Sequence, residues 1–264
     1  MNLALEPLKN ESLSERFALR FEELILSGAL GIGERLPSER ELALQLGVSR
    51  PVVHEGLVDL AHKGLIVLKP RVGAVVNDYR KEGSLALLGS LVLYGQGRLE
   101  PRLMDDMMAM RRLIELETSR LAAKEATQEQ VAGLCELVLR EKIAAHKNSS
   151  ALAALDFKFH HGIALASGNR IYPLLLNSFK AVYLNLSGLF YTNPEIPAAV
   201  HPLHQELCLA LDRHKETQAV RIMDRILTHG EQTLHAMLAA QSAELQNQPE
   251  PAAALRSHSG RRNP

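Results

Sequence analysis

Asp156 and His160 are the residues whose types and spacing point most directly to chemistry. They are four positions apart in a segment with helical periodicity, so both side chains project from one face of a helix and can hold a single cation. A carboxylate oxygen and an imidazole nitrogen suit a divalent transition metal such as Zn or Ni. A buried hydrogen-bonded pair without metal explains the same two residues, and the pattern alone leaves both interpretations open.

Two short helices between Ser38 and Leu60 could carry a second kind of chemistry, the reading of nucleic-acid bases. Ser38 and Glu41 have the spacing of a capping box, which predicts a helix that starts at Glu39, and Gly47 is typical of a helix end. Ser49 is expected to cap the next helix, because proline, here at position 51, is tolerated in a first turn. The sequence therefore predicts a helix-turn-helix.

The outer face of the second of these helices supplies the candidate base-reading residues. Its apolar residues recur on one face: Val53, Leu57, Leu60 and Ala61. This pattern turns Arg50, Pro51 and His54 outward at the N-terminal end, the part that enters the major groove in helix-turn-helix proteins. An arginine there can pair both acceptors of a guanine, so Arg50 is the leading candidate for reading a base.

Two β-prone runs, residues 65–68 and 74–76, flank a turn that carries Lys69 and Arg71. Such a pair predicts a two-stranded wing whose basic tip can contact phosphates. Charge does not prove DNA binding, since residues 34–71 hold only one more basic than acidic residue. A plain helical subdomain remains the alternative at this point.

The whole chain must position these residues. Of its 264 residues, 46% are apolar but only 4% aromatic, which favours a mostly α fold: a winged helix-turn-helix domain followed by an all-helical bundle. We expect a DNA-binding domain at 1–77, a linker at 78–84, an effector-binding and dimerisation domain at 85–242 and a disordered tail at 243–264. Basic and acidic residues number 30 each, so any DNA contact must be local.

Several features of the sequence predict a cytoplasmic location. Two cysteines in helix-like sequence suit a reducing compartment, no secretory signal is recognisable, and the longest apolar run is too short to span a membrane. Within the bundle, apolar spacing predicts helices at 85–95, 102–125, 128–146, 150–167, 171–191, 198–213 and 216–240. A capping box of Thr127 and Gln130 supports the start of the third.

The N-terminal third resembles the GntR family of regulators. The residues that carry the resemblance are Gly33-Glu-Arg-Leu-Pro-Ser-Glu-Arg-Glu-Leu-Ala43, Leu46-Gly-Val-Ser-Arg50, Glu55, Leu57, Leu60, Gly64-Leu65 and Gly73. The resemblance implies that Arg40 and Arg50 contact DNA and that the wing from Arg71 to Gly73 reaches the minor groove. Many relatives have arginine at the position of His54. Histidine is shorter and mostly neutral at pH 7, so their operator sequences cannot be transferred to this chain.

The rest of the chain, residues 85–240, resembles the FadR branch of that family, whose effector domains are helical bundles around a ligand cavity. Arg111 with Glu115, the Asp156-Phe-Lys-Phe-His160 element and Tyr183 carry this resemblance. It implies that Arg111 faces the cavity and clamps an anionic effector, with Tyr183 beside it.

The same resemblance makes His204 the next metal ligand after Asp156 and His160. The usual fourth ligand falls at Ile226, which cannot coordinate a metal, so His229 on the same helix is the substitute candidate. Ile226 and Leu234 stand where fatty-acyl-responsive members have aromatic residues. This wall of the cavity is therefore expected to be more apolar than in those members. A small organic acid and a fatty-acyl-type effector both remain open.

We therefore predict a ligand-responsive transcriptional regulator, a repressor, that binds a palindromic operator as a homodimer, because two half-sites require two-fold pairing. The predicted partners are double-stranded DNA and a small-molecule effector, without a membrane. A metal-dependent enzyme that uses the histidine-rich helices is one alternative. No positioned nucleophile or general-base motif supports it, so we expect no enzymatic activity. An interaction scaffold that does not bind DNA is the other alternative.

Overall fold

The computed structural model describes residues 12–94, 101–144 and 148–246, and within these residues it contains twelve helices and one two-stranded sheet. The mostly α fold class is confirmed. The first group of elements comprises α1 (Leu13–Leu26), α2 (Glu39–Leu46), α3 (Arg50–His62), β1 (Ile66–Lys69), β2 (Gly73–Val76), α4 (Tyr79–Glu82) and α5 (Leu87–Tyr94). The second comprises α6 (Pro101–Glu125), α7 (Gln128–Ala144), α8 (Ser149–Ala166), α9 (Tyr172–Ser178), α10 (Lys180–Phe190), α11 (Ile196–Asp212) and α12 (Glu216–Gln246).

The predicted start of α2 is confirmed at atomic detail. Glu41 N donates to Ser38 Oγ at 3.3 Å, and Ser38 N donates to Glu41 Oε2 at 2.8 Å, which closes the capping box. Gly47 ends the helix with φ +64°, a conformation that glycine adopts without steric cost. The cap of α3 differs from its prediction, since Ser49 occupies the N-cap but its side chain makes no capping hydrogen bond. Pro51, at the second helical position, lacks one of the two N–H groups that such a cap uses.

The apolar face of α3 packs against α1, as its spacing predicts. Val53, Leu57 and Leu60 are at most 2% exposed and share a core with Phe17. Gly56 permits the close approach, because a Cβ there would lie 2.3 Å from Phe17 Cδ1. At the end of α3, Lys63 Nζ donates to the carboxylates of Glu22 and Asp59, each at 2.6 Å. These contacts fix the orientation of α3 on the domain.

The wing is an antiparallel hairpin in which Ile66 pairs with Val76 and Lys69 with Gly73. β1 lies one residue later than its predicted range of 65–68. β2 begins one residue before its predicted range of 74–76. The turn places Arg71 at φ +63° and Gly73 at φ +101°. The segment before α2 pairs with the outer edge of β2, where Leu36 N donates to Ala74 O at 2.9 Å.

The segment predicted as a linker, residues 78–84, is instead held against the winged unit. Asp78 caps α4 by accepting from Arg80 N, and Ser84 Oγ donates to the His62 carbonyl at 2.9 Å. Gly64 has φ +78° and lies so close to α4 that a Cβ would be 2.0 Å from the Glu82 carbonyl oxygen. The polar composition of this segment therefore reflects local capping rather than a free connection.

In the bundle, α6 and α12 run beside each other, α8 packs against α6, α7 and α10, and α11 packs against α7 and α12. The capping box at Thr127 is confirmed by hydrogen bonds of 2.9 and 3.2 Å with Gln130. The single helix predicted at 171–191 breaks at Phe179 into α9 and α10. Ser178 Oγ donates to the Leu174 carbonyl at 3.0 Å, a back-bond of the kind that bends helices.

The remaining differences from the predicted elements concern the C-terminal end and residues outside the described ranges. α12 continues to Gln246, so residues 243–246 of the predicted disordered tail are helical. The rest of that prediction, 247–264, lies outside the described residues, as do residue 95 of the first predicted bundle helix and residues 145–146 of the third. Within the described ranges, none of the helices combines the length and apolarity needed to cross a bilayer.

α5 contributes to two hydrophobic cores. Leu87, 4% exposed, and Leu91 pack with the core of α1 and α3, whereas Leu88 packs against the cluster that contains Val182 and Leu186 of α10. This helix therefore connects the winged unit to the bundle by direct packing.

Candidate functional site

The first candidate site is the exposed surface formed by the N-terminal end of α3 and the wing. The side chains of Arg50 and His54 are 68% and 59% exposed, and Pro51 is also exposed. The other predicted DNA contacts are exposed as well: Arg40, Ser49, Lys69, Arg71 and Gly73. We call these eight residues the reading surface. The winged fold brings all of them into contact with solvent.

Glu39 lies beside the reading surface and contacts two of its members, and the sequence did not single it out. Its carboxylate accepts from His54 Nδ1 at 2.8 Å and lies 3.8 Å from a guanidinium nitrogen of Arg50. Glu39 thus links α2 to both leading candidates on α3 and holds them in one orientation. Because these side chains are exposed, the ion pairs are worth at most about 1 kcal/mol.

The second candidate site is a buried polar cluster in the bundle, centred on Asp156. The Nε2 atoms of His160 and His204 each lie 3.8 Å from Asp156 Oδ1, and all three residues are buried. One ligand atom from each residue lies within 4.8 Å of the others. α8 supplies the aspartate and the first histidine, and α11 supplies the second. The predicted trio therefore comes together in space.

A second carboxylate orients each histidine from the opposite side of its ring. His204 Nδ1 shares a hydrogen bond of 2.9 Å with Glu141 Oε2, and His160 Nδ1 forms an ion pair with Glu115 Oε2. Both Nε2 atoms are thereby directed toward Asp156. Histidines that bind metals are held by carboxylates in the same way, which fixes the tautomer and the ring orientation.

Asp156 and Arg111 are bound by two tyrosines and a glutamate. Tyr183 Oη donates to Asp156 Oδ2 at 2.7 Å, and Tyr191 Oη donates to Asp156 Oδ1 at 2.9 Å. Arg111 donates to Glu115 at 2.5 Å and to Tyr183 Oη at 2.9 Å. The polar cluster thus has eight members: Arg111, Glu115, Glu141, Asp156, His160, Tyr183, Tyr191 and His204.

The pKa values in this cluster follow from burial and charge. Burial raises the pKa of the Glu115 carboxyl, but Arg111 and His160 outweigh burial and lower it to about 2. Burial also raises the pKa of Asp156, and the neighbouring histidines and arginine reverse this shift. Burial lowers the pKa of His204, but Glu141 outweighs it and raises the pKa. The carboxylates of Glu115 and Asp156 therefore share Arg111 as a cationic neighbour.

The charge balance tests whether this cluster suits a metal ion. Three carboxylates and one guanidinium leave two negative charges if both imidazoles are neutral. Uncompensated charge is costly in a buried site, so a divalent cation or the protonation of both histidines is needed to balance it. His204 Nε2 is buried and has no hydrogen-bond partner among the described residues. The donor set and this unpartnered nitrogen fit a divalent metal held by Asp156, His160 and His204.

His229, the substitute fourth ligand, is not part of this group. The group of candidate ligands in the described residues consists of Asp156, His160 and His204. Ile226, Gly230 and Leu234 of α12 face the cavity at intervals of four residues, and His229 lies off that face. Its ring is instead beside Phe190, with centroids 6.1 Å apart. His229 therefore lies outside the group of ligand atoms that the described residues bring within 4.8 Å of one another.

A cavity of about 60 Å³ adjoins the cluster. All four predicted effector-binding residues, Arg111, Tyr183, Ile226 and Leu234, line it together with Asp156 and His160. Methionines 107, 108 and 110 form part of the apolar wall. A water molecule requires about 10 to 15 Å³ on this scale, so the cavity holds a few water-sized groups. Its polar floor and apolar wall suit a small amphiphilic molecule.

Glu141 and Tyr191 are the cluster members that sequence reasoning missed. A signal for Glu141 was present: Val131, Leu134, Val138 and Glu141 form one buried face of α7, so a charge occupies a core position. A buried glutamate requires a partner. Tyr191 follows the end of α10 and carries no comparable signal, because only the fold brings it to Asp156.

A winged helix-turn-helix with an exposed α3, joined to a bundle with a polar cavity, defines a DNA-binding regulator with a ligand-sensing domain. The family model "Bacterial regulatory proteins, gntR family" matches residues 13–76, and "FadR C-terminal domain" matches residues 77–246. The chain therefore belongs to the GntR family and carries a FadR-type C-terminal domain. It is a transcriptional regulator and not an enzyme.

Individual relatives agree with this assignment. The fatty acid metabolism regulator protein of Yersinia pestis (strain Pestoides F) is 28% identical over 201 residues, which cover 76% of this chain and 80% of that protein. The protein of that name from Proteus mirabilis (strain HI4320) is 27% identical over the same coverage. Lar, described as controlling expression of the Listeria monocytogenes agr system, shares the fold with a TM-score of 0.61 at 16% identity, covering 87% of this chain and 99% of Lar.

Proposed function

We propose that this regulator is a cytoplasmic, ligand-responsive repressor that binds a palindromic operator as a homodimer. The observation that carries the proposal is the exposure of Arg50 and His54 at the N-terminal end of α3, on a winged unit of the GntR family. In this geometry α3 enters the major groove, and two copies are needed to read two half-sites. The family assignment disfavours the enzyme and scaffold alternatives.

The reading surface divides by role. Arg50 pairs a guanine, with Pro51 and His54 contacting neighbouring base edges, and Ser49 and Arg40 hold the phosphate backbone. Lys69 and Arg71 at the wing contact phosphates or the minor groove, and Gly73 keeps the backbone close to the duplex. Glu39 competes with DNA for Arg50, because its carboxylate already pairs with that side chain.

The effector we propose is a small organic acid. Arg111 is a partly buried cation on the cavity wall, and the limited volume of about 60 Å³ fits a compact molecule. A fatty-acyl-type effector is the second candidate, because Ile226, Leu234 and the three methionines give an apolar and deformable wall. The longer molecule requires that wall to move outward.

The metal we propose is a divalent transition ion, Zn or Ni, held by Asp156, His160 and His204. When bound, it would supply positive charge next to Arg111 and so make the cluster attractive to a carboxylate. Glu115 and Glu141 keep both histidines oriented, while the hydroxyl of Tyr183 fixes Asp156 and Arg111 relative to each other.

α10 and α5 provide the route from effector to DNA. Tyr183, Leu186 and Phe190 of α10 line the cavity, and Leu88 of α5 packs against the α10 cluster. Leu87 of α5 belongs to the core that positions α3. A ligand that moves α10 therefore shifts the orientation of the winged unit by its differential affinity for the two arrangements.

A gel-shift titration against DNA upstream of the protein's own coding sequence tests the proposal. We expect a specific shift that weakens steeply with salt, because lysine and arginine contacts release counterions. Titration of acetate, succinate and decanoyl-CoA into the preformed complex then compares the two effector classes. The absence of any sequence-specific shift at low salt would contradict the proposed function.

A further inference from the structure

An open groove outside the effector cavity lies between α7, α8 and the α9–α10 corner. Its volume is about 790 Å³, and it shares no lining residue with the cavity at Arg111. The residues that matter here are Gly133, Leu137, Phe157, Lys158, His161 and Lys180, and we call this site the basic groove. Its size lies within the range of small-molecule sites in proteins.

The basic groove is lined by two cationic side chains, Lys158 and Lys180, and by His161, whose pKa is lowered by burial. Its lining residues include no aspartate or glutamate. None of the three forms an ion pair with a carboxylate in the part of the chain that the structure describes. Two lysines without an ion pair in one concave site favour an anion.

Phe157 forms the floor beneath these charges. Lys180 Nζ lies 5.4 Å from the centre of its ring, and the ring of His161 stacks on it with centroids 5.6 Å apart. His161 Nε2 is buried and makes no hydrogen bond within the described residues. The aromatic floor therefore holds two basic groups next to each other, one of them with an unused ring nitrogen.

The basic groove is also lined by apolar side chains. They are Leu134, Leu137, Leu165 and Leu184, of which Leu165 is 54% exposed. A large apolar side chain at the edge of a concave surface gains free energy when an apolar group covers it. The groove thus offers both cationic and apolar side chains within one site.

We propose that the basic groove binds an amphipathic anion, a molecule with an oxyanion head and an alkyl tail, at a site separate from the effector cavity. The head lies among Lys158, His161 and Lys180, and the tail covers Leu137 and Leu165. The site is connected to the polar cluster, because the Phe157 ring meets the edge of Tyr183 with centroids 5.2 Å apart. Occupancy of the groove is therefore transmitted to the residues that hold Arg111 and Asp156.

The test is calorimetric titration of the full chain with octyl phosphate, with octanol as the uncharged probe. The double variant Lys158→Glu/Lys180→Glu removes the cationic side chains, and Gly133→Trp fills the groove. An added Cβ at Gly133 has no heavy atom within 4 Å, so a side chain can start there without a backbone clash. Both variants should bind octyl phosphate at least tenfold more weakly. Arg140→Glu, on the exposed face of the same helix α7, is the matched control and should stay within twofold of the native chain.

Ile226→Phe separates this proposal from the proposed function. Ile226 lines the effector cavity and not the basic groove, so this variant should retain octyl phosphate binding. Loss of binding in Ile226→Phe, or equal affinity for octanol, overturns the proposal. Sedimentation of Gly133→Trp gives a further outcome: conversion of a dimer to a monomer would assign the groove to an interface between copies of the chain instead.

Discussion

At the scale of single residues, the polar cluster depends on one carboxylate that serves four partners. Asp156 accepts from Tyr183 and Tyr191 and faces the Nε2 atoms of His160 and His204. The tyrosine hydroxyls satisfy its oxygens in a buried environment, where an unpaired carboxylate would be strongly disfavoured. Asp156 is thus held in place whether or not a cation is bound.

A metal-binding prediction follows for the histidines. His160→Ala and His204→Ala should each abolish stoichiometric divalent metal, because each removes one of three ligands. His229→Ala should retain it, since that ring lies beside Phe190 and outside the ligand group. Inductively coupled plasma mass spectrometry on dialysed protein measures the metal content of each variant. Equal loss in all three variants would contradict the assigned ligand set, and no metal in the native chain would favour two protonated imidazoles.

A second residue-scale prediction concerns base reading. Arg50→Ala should weaken specific operator binding by about 1 to 3 kcal/mol without changing the fold, because a bidentate guanine contact is lost. Fluorescence anisotropy at fixed salt measures the affinity of the protein for operator DNA and for random DNA. Arg140→Ala, an exposed arginine on α7, is the charge-matched control.

Glu39→Gln refines that experiment, since it frees Arg50 and His54 from their carboxylate partner. We expect the affinity of the Glu39→Gln variant for random DNA to rise more than its affinity for the operator. Unchanged operator affinity in Arg50→Ala would remove this arginine from the set of base-reading residues.

At the scale of elements, α5 is the helix that belongs to both halves of the protein. Leu87 and Leu91 pack into the winged unit, while Leu88 packs against α10. The segment before it is equally fixed, since Ser84 N donates to the Lys63 carbonyl at 3.1 Å at the end of α3. A packed helix transmits displacement in a way that a flexible linker cannot.

Leu88→Ala should therefore weaken communication more than it weakens DNA binding. We expect operator affinity within twofold of the native chain and an effector-induced change in that affinity reduced at least threefold, since the contact with α10 is lost. Leu85→Ala is the control, because Leu85 precedes α5 and is 43% exposed. Anisotropy titrations with and without effector measure the coupling. A response in Leu88→Ala equal to that of the control would exclude this route.

At the scale of the whole molecule, the proposed function requires two copies. One winged unit presents one α3, and a single recognition helix contacts only a few base pairs. The net charge of the chain is zero, so a broad electrostatic field cannot supply the affinity. Two reading surfaces joined by a symmetric interface supply the affinity and specificity that one lacks.

The spacing of half-sites tests this arrangement. Insertion of about five base pairs between the half-sites rotates one of them to the opposite face of the duplex, so operator affinity should fall at least tenfold. Insertion of about ten base pairs restores the rotational register and should recover part of the lost operator affinity. Sedimentation of free protein and complex gives the stoichiometry. A monomer that binds the native operator and the operator with five inserted base pairs equally well would contradict the homodimer.

The sequence by itself determined the local features of this protein. The capping boxes at Ser38 and Thr127, the helix end at Gly47 and the outward direction of Arg50 and His54 all depend on residues within a few positions of each other. Interactions between such close neighbours are decided by backbone geometry and side-chain type, which can be read from the order of residues. The spacing of Asp156 and His160 indicated a shared helix face, and the family motifs added His204 and Arg111.

The tertiary structure decided which distant residues complete each site. Glu141 meets His204 across 63 residues, Glu39 meets His54 across 15, and the break at Phe179 separates α9 from α10. His229 was a reasonable candidate by sequence, but the rotation of α12 presents Ile226 and Leu234 to the cavity instead. Such contacts depend on how packed helices are rotated and displaced relative to each other, and a shift of one residue turns a helix by about 100°.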